Sequence, residues 1–272
     1  MSKELNLNGY PAGKPIGNFA TFNLYECEVS DPEDRTGILK ITTAVEHNSL
    51  LDREGLVLET LKEASERIDR ECEQEIPGQK MNYHLLFPVL EATFVAPEQG
   101  NRRVNIIHFP KLAGDREELV PLSNITRDRF RIDPKSSAWV IGKFLKALVF
   151  THSINVSVGG IDASKLIIHP KNHLVSIFDW SEAILHTSEI PEEIIRMEIS
   201  TLVRIAFRLL GGDLECETLP ESDQLADDRF KIFLLQLAKE GSPSAAQAHQ
   251  DFYTIVESMW GRKYHPFTTI RL

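Results

Sequence analysis

Three charged residues in this 272-residue chain stand where their charge must be put to use. Lys40 interrupts a strand-like apolar run (Ile38, Leu39, Ile41), and an ammonium there loses solvation unless a partner receives it. The next segment, Ser49 to Ile68, has Leu50, Leu51, Val57, Leu58 and Leu61 at three- and four-residue spacing, the period of a helix with one apolar face. At roughly 100° per residue, Glu54 falls in the middle of that arc and Glu59 on the opposite side. A glutamate at the centre of an apolar face needs a cation, and Lys40 is the partner this reading assigns. Asp179 follows Ile177-Phe178 at the end of another apolar run. A paired lysine can hold phosphate, and a strand-end carboxylate can ligate a divalent cation. The plainer readings are two snorkelling surface charges and a capping aspartate.

The elements around these residues divide in character near Phe109-Pro110. Before that point, Phe19 to Val29, Ile38 to Thr42, Val89 to Val95 and Arg103 to His108 read as strands, with turn signals at DPEDRTG and PEQGN. The one helix among them is followed by ERIDRECEQEIPGQK, which reads as the helix end and a solvated loop. After it, Ser136 to Phe150 and Ile194 to Leu210 are apolar nearly all round, as buried helices are, and the second stops at Gly211-Gly212. Further helical stretches cover Phe230 to Lys239 and Ala245 to Trp260. Between the buried helices, His152 to Ala183 reads as a loop, a hairpin of two apolar strands and then Asp179. The expected fold is α+β, with residues 1–110 forming a small antiparallel β lobe with one helix and residues 111–272 a larger helical lobe.

That order, with Lys40, Glu54 and Asp179, resembles the protein-kinase-like superfamily over nearly the whole length. More narrowly the chain resembles a bacterial and phage-type kinase-like group with the pattern H-G-(A/G)-x-x-P-x-x-(L/I)-(L/I)-x-H-P-x-x-H, leading to L-x-D-W. Here that reads Val158-Gly159-Gly160 through Leu166-Ile167-Ile168-His169-Pro170-Lys171-Asn172-His173, then Phe178-Asp179-Trp180. Ile132-Asp133-Pro134, Ala138-Trp139 and the closing Gly261-Arg262-Lys263-Tyr264-His265-Pro266-Phe267 also look like that group.

The resemblance implies ATP as ligand, with Lys40 on its phosphates, Glu54 pairing Lys40, Gly17 in the phosphate-covering loop and Asp179 holding magnesium. The stretch Gly13 to Phe19 has two glycines without glycine-rich spacing, so an ordinary β turn stands equally beside the cradle reading. A kinase also needs an aspartate to orient the acceptor hydroxyl and, five residues on, an asparagine for a second magnesium. Registering the hairpin puts Gly160 and Lys165 at those places, with Val158 where a histidine would precede them and Ala163 for the group's proline. Asp162 lies two residues out of register. Loss of the catalytic aspartate is a trait of the group, so the implied function is a pseudokinase acting through a protein partner. Lys165 would neutralise phosphate charge without metal. The alternatives are an atypical kinase using Asp179 or Asp162, and a kinase-shaped module that binds no nucleotide. The short interval from Asp179 to the helix around Glu198 leaves little room for an activation segment; Ile190-Pro191-Glu192 sits too close to that helix to close one.

The formal net charge of −10 argues against a basic nucleic-acid footprint. The start lacks the apolar core of a signal peptide, and no run approaches the ~20 residues that span a bilayer. Cys27, Cys72 and Cys216 are too scattered for a disulfide framework or a metal cluster, which suggests free thiols in a cytoplasmic protein. His152, His169, His173 and His186 lack metal-ligand spacing, and Gly261 to Phe267 reads as a docked terminal segment before a nucleic-acid patch.

Overall fold

A computed structural model describes residues 5–29, 36–110, 118–221, 225 and 227–272. The chain forms two compact units, one of residues 1–116 with 179–183 and one of residues 117–178 with 184–272.

The first unit is built on antiparallel strands. A hairpin of β1 (Leu5–Leu7) and β2 (Tyr10–Ala12) precedes β3 (Pro15–Asn18), β4 (Phe22–Glu28) and β5 (Thr36–Thr42). Helix α1 (Asn48–Glu75) follows, then β6 (Val89–Ala96) and β7 (Arg102–His108), and the sheet order is β3-β4-β5-β7-β6. Alternation along β5 sorts its side chains. Leu39 and Ile41 join Val104, Ile106, Cys27 and Leu7 in an apolar core cluster. Lys40 therefore lies on the opposite face, opposite Leu24 of β4 and Asn105 of β7 in the ladder. That second face meets α1, which buries Leu51, Glu54, Val57, Leu58 and Leu61.

α1 is longer than its apolar pattern predicts. The charged stretch expected to be loop is helical to Glu75, and the chain turns extended only at Ile76, before Pro77. Straight-chain Glu and Arg favour helix without any apolar face. Glu66 and Arg67 each reach a partner four residues on, Arg70 and Glu71, at 4.0 Å. Asp69 accepts from the backbone of Met81 and Asn82 at 2.8 and 3.2 Å, which ties down the segment that follows. The PEQGN turn is a short 3₁₀ turn ending at Gly100 with φ +70°, a conformation glycine adopts without strain.

The second unit carries the remaining helices. In chain order it contains β8 (Val120–Pro121), α2 (Leu122–Arg127), β9 (Phe130–Ile132), α3 (Pro134–Ser153), β10 (Val156–Ser157), β11 (Leu166–His169), β12 (Leu174–Ile177), β13 (Ile184–Leu185), α4 (Glu192–Leu209), α5 (Arg229–Glu240), α6 (Ala245–Trp260) and β14 (Thr269–Arg271). Asp133 caps α3 by accepting from Lys135 and Ser136 N–H at 2.9 and 3.1 Å. It also accepts from the hydroxyls of Ser136 and Thr268, so the same carboxylate anchors the C-terminal strand that pairs with β9. α4 ends with the Gly212 N–H on Phe207 O and Gly211 at φ +80°, a glycine C-cap. Among the described residues, no helix is long and apolar enough to cross a membrane.

Candidate functional site

Within the first unit, Lys40 sits between two carboxylates. Its Nζ donates to Glu54 Oε1 at 2.7 Å and to Asp179 Oδ1 at 2.5 Å. All three are buried, Lys40 and Glu54 completely. Strand period and helix period deliver the first pair: Lys40 faces α1 because β5 alternates, and Glu54 faces the sheet because it centres the apolar arc. Asp179 completes the cluster from a segment distant in sequence.

Further contacts hold the carboxylates in place. Asn105 Nδ2 donates to Glu54 Oε2 at 3.0 Å and to Leu51 O at 2.9 Å, and is itself oriented by Thr93 Oγ1 on its Oδ1 at 2.8 Å. The Trp180 N–H reaches Glu54 Oε1 at 3.3 Å, and the Ser181 N–H reaches Asp179 Oδ1 at 3.2 Å. The Phe22 ring lies over the ammonium, 3.8 Å from Nζ to the ring centroid, and Phe19 packs on Phe22 with centroids 4.8 Å apart. Such a cation–π contact strengthens when it is desolvated, as here. Burial holds the Glu54 carboxyl above the ordinary carboxylate range, with Asp179 adding to the rise and Lys40 and Asn105 opposing it.

Gly17 is in β3 opposite Leu24, and Gly13, between β2 and β3, donates its N–H to Glu26 O at 2.7 Å. The tip of this hairpin, Asn18 to Thr21, contains no glycine, and the Phe19 N–H is bonded to Phe22 O at 2.9 Å. The Gly13 and Phe19 amides are thus engaged with the protein's own carbonyls. Magnesium prefers an octahedral shell of oxygens. The donor set here meets that poorly, because Lys40 already pairs with both Asp179 and Glu54.

In the second unit, Gly160 lies exposed in the loop between β10 and β11, and Lys165 immediately precedes β11. Asp162 is built into that loop. Its Oδ1 accepts from Ser164 N and Oγ at 2.8 and 2.6 Å, and its carbonyl accepts from Lys165 N at 3.0 Å. The Ser164 hydroxyl bond holds the Asp162 carboxyl below its usual range. Gly159, at φ +81°, donates its N–H to Glu198 Oε1 at 2.8 Å, while Glu198 Oε2 meets His152 Nε2 at 2.7 Å. Glu198 is only 1% exposed, so a buried α4 carboxylate fixes the start of this loop.

Sequence reasoning did not single out Asn105, Phe22 or Glu198 as site residues. Asn105 carried the same signal as Lys40, a polar residue inside an apolar strand (Val104, Ile106, Ile107), and Glu198 stands in the apolar run of α4. Among the described residues, no group of three His, Cys, Asp or Glu side chains could hold a metal ion. His169 instead meets Glu118 at 2.9 Å and His186 meets Ser157 at 2.9 Å.

No protein-family model matches the chain, and no curated protein matches it in sequence. Solved structures do. The kinase domain of Mycobacterium tuberculosis PknI carrying one alanine substitution superposes with a TM-score of 0.57 at 12% identity, covering 94% of this chain and 99% of that one. The same domain without the substitution gives 0.56 at 11% identity, covering 93% and 99%. At this identity the likeness establishes the fold: a protein-kinase-like α+β chain with an antiparallel β lobe and a helical lobe.

Proposed function

We propose that this kinase-fold chain is a pseudokinase of the bacterial and phage-type group it resembles, acting in the cytoplasm by binding a protein partner. The observation that carries the reading is the buried Lys40–Glu54–Asp179 cluster, set against a resemblance that registers Gly160 where an acceptor-orienting carboxylate is needed. Glycine offers no oxygen to a substrate hydroxyl, and Lys165 brings positive charge to the place of a metal-binding asparagine. Phosphotransfer through Asp162 is less well supported, because its carboxylate serves a local turn and its depressed proton affinity makes it a weak base.

ATP enters this reading as a ligand of Lys40, with Glu54 orienting the lysine, Asp179 beside the phosphates and Gly17 in the strand leading to the covering hairpin. Because Lys40 already neutralises Asp179, nucleotide binding is expected not to depend on magnesium. A thermal-shift titration with ATP, with and without Mg²⁺, tests this. A shift independent of the metal and lost in Lys40→Ala supports nucleotide binding. One observation favours a second reading, a kinase-shaped module without nucleotide: Lys40 is fully buried beneath Phe22. No shift at millimolar ATP selects that module. Transfer of radiolabelled phosphate that Asp179→Ala abolishes would overturn the pseudokinase assignment altogether.

A further inference from the structure

Three stretches that the Lys40 cluster does not use converge in the second unit. Trp139 of α3, His173 of the β11–β12 turn and Tyr264 of the closing segment form a continuous stack. The Trp139 and His173 centroids are 4.4 Å apart with rings 7° from parallel, and the His173 and Tyr264 centroids are 4.4 Å apart at 14°. Phe267 meets Trp139 edge-on at 6.0 Å, and β14 then secures the segment against β9. The stack lines a cavity of about 500 Å³.

The lining is cationic although the chain as a whole is strongly acidic. Lys135, Arg262 and Lys263 contribute three cations against one carboxylate, Glu257, which Arg262 engages at 2.7 Å. The positive field extends beyond the rim. Lys143 is pushed below its usual range by burial and then by Lys146, and His173 by burial and then by Lys143. Trp139 Nε1, His173 Nε2 and His265 Nε2 are buried nitrogens without a hydrogen-bond partner. Tyr264 lines the cavity while 71% exposed, leaving ring surface for another planar group.

Flat aromatic surface beside unbalanced cations suits a ligand with a planar ring and an anionic group. We propose that this cavity is a binding site for a small phosphorylated aromatic of the nucleoside monophosphate class, with the base stacking on Tyr264 and the phosphate held by Arg262 and Lys263. The volume accommodates one mononucleotide. Stacking on an aromatic side chain tolerates any base, so the site is expected to take purine and pyrimidine monophosphates alike. It is independent of the Lys40 cluster, which belongs to the other unit.

Isothermal titration of the intact chain with AMP, GMP, CMP and UMP, and with inorganic phosphate, tests the assignment. Monophosphates are expected to bind, with affinity falling as salt rises and inorganic phosphate at least tenfold weaker (about the contribution of one stacked base). Tyr264→Ala, at an exposed position, should weaken the monophosphates by about tenfold while the variant stays folded at the assay temperature, with only the small fall in melting temperature expected from losing one ring contact. Arg262→Ala with Lys263→Ala should remove most of the salt dependence. No heat with any monophosphate at millimolar concentration overturns the site. So does binding that these variants leave unchanged. Inorganic phosphate binding as tightly as the monophosphates would overturn the stacking role, and a short oligonucleotide binding more tightly than its monophosphate would overturn the small-molecule class.

Discussion

Replacing Lys40 by methionine keeps the unbranched stem and removes the ammonium that two buried carboxylates share. Glu54 and Asp179 then both lose the Lys40 ammonium, while Glu54 keeps Asn105 and the Trp180 N–H and Asp179 keeps the Ser181 N–H. Removing one partner of a buried ion pair costs about 3–5 kcal/mol. At ~2 °C per kcal/mol for a chain of this length, the melting temperature should fall by ~6–10 °C near neutral pH. The loss should also depend on pH. Burial, reinforced by Asp179, already holds Glu54 above its ordinary range, and without Lys40 it rises further. The folded variant then keeps a proton that the unfolded chain releases near about pH 4.3. Stability is therefore fully present below that pH and is lost as pH rises toward the folded pKa. Scanning calorimetry of parent and variant between about pH 4 and pH 7 should show the gap in melting temperature widening with pH. A variant that melts within about 1 °C of the parent at neutral pH, or a gap that stays constant with pH, would refute the picture of a buried cation balancing two carboxylates.

Two other perturbations read different parts of the molecule. Glu198→Ala strips the acceptor from the Gly159 N–H and from His152. It should cost about 2–4 kcal/mol, because two half-buried polar partners lose their acceptor, and amide exchange of residues 158–165 should accelerate more than that of α4 itself. Cys27 is buried, and burial pushes its thiol up to about 12. At neutral pH it should resist a thiolate-directed reagent until the chain unfolds, whereas exposed Cys216, although its hydrogen bond to Asp213 also raises its thiol, should react first in the native protein because the reagent can reach it; early modification of Cys27 in a mass-spectrometric time course would contradict its burial.

How far each feature was legible followed the range of the interaction that makes it. The face of β5 that Lys40 occupies and the place of Glu54 on α1 follow from periods of two and 3.6 residues, so their meeting could be anticipated. Helices α3 and α4 were legible for a different reason, as long runs that are apolar nearly all round. The last third of α1 was not, because its residues from Glu66 onward stay helical through intrinsic propensity and neighbouring charges rather than an apolar stripe. The β1–β2 hairpin and β14 were missed because each strand has only three residues, too few for alternation to register.

By itself, the sequence determined the order of the longer strands and helices, the faces of β5 and α1, and the residue types at 160 and 165, since local periodicity and side-chain chemistry need no distant partner. Only the tertiary structure decided that Asp179 shares the Lys40 ammonium, that Asn105 and Phe22 complete its surroundings, and that Glu198 anchors the loop at Gly159. The stacking of Trp139, His173 and Tyr264 belongs with these. Ion pairing, desolvation and ring stacking depend on separations of a few ångströms between residues far apart along the chain, and no local pattern sets those distances.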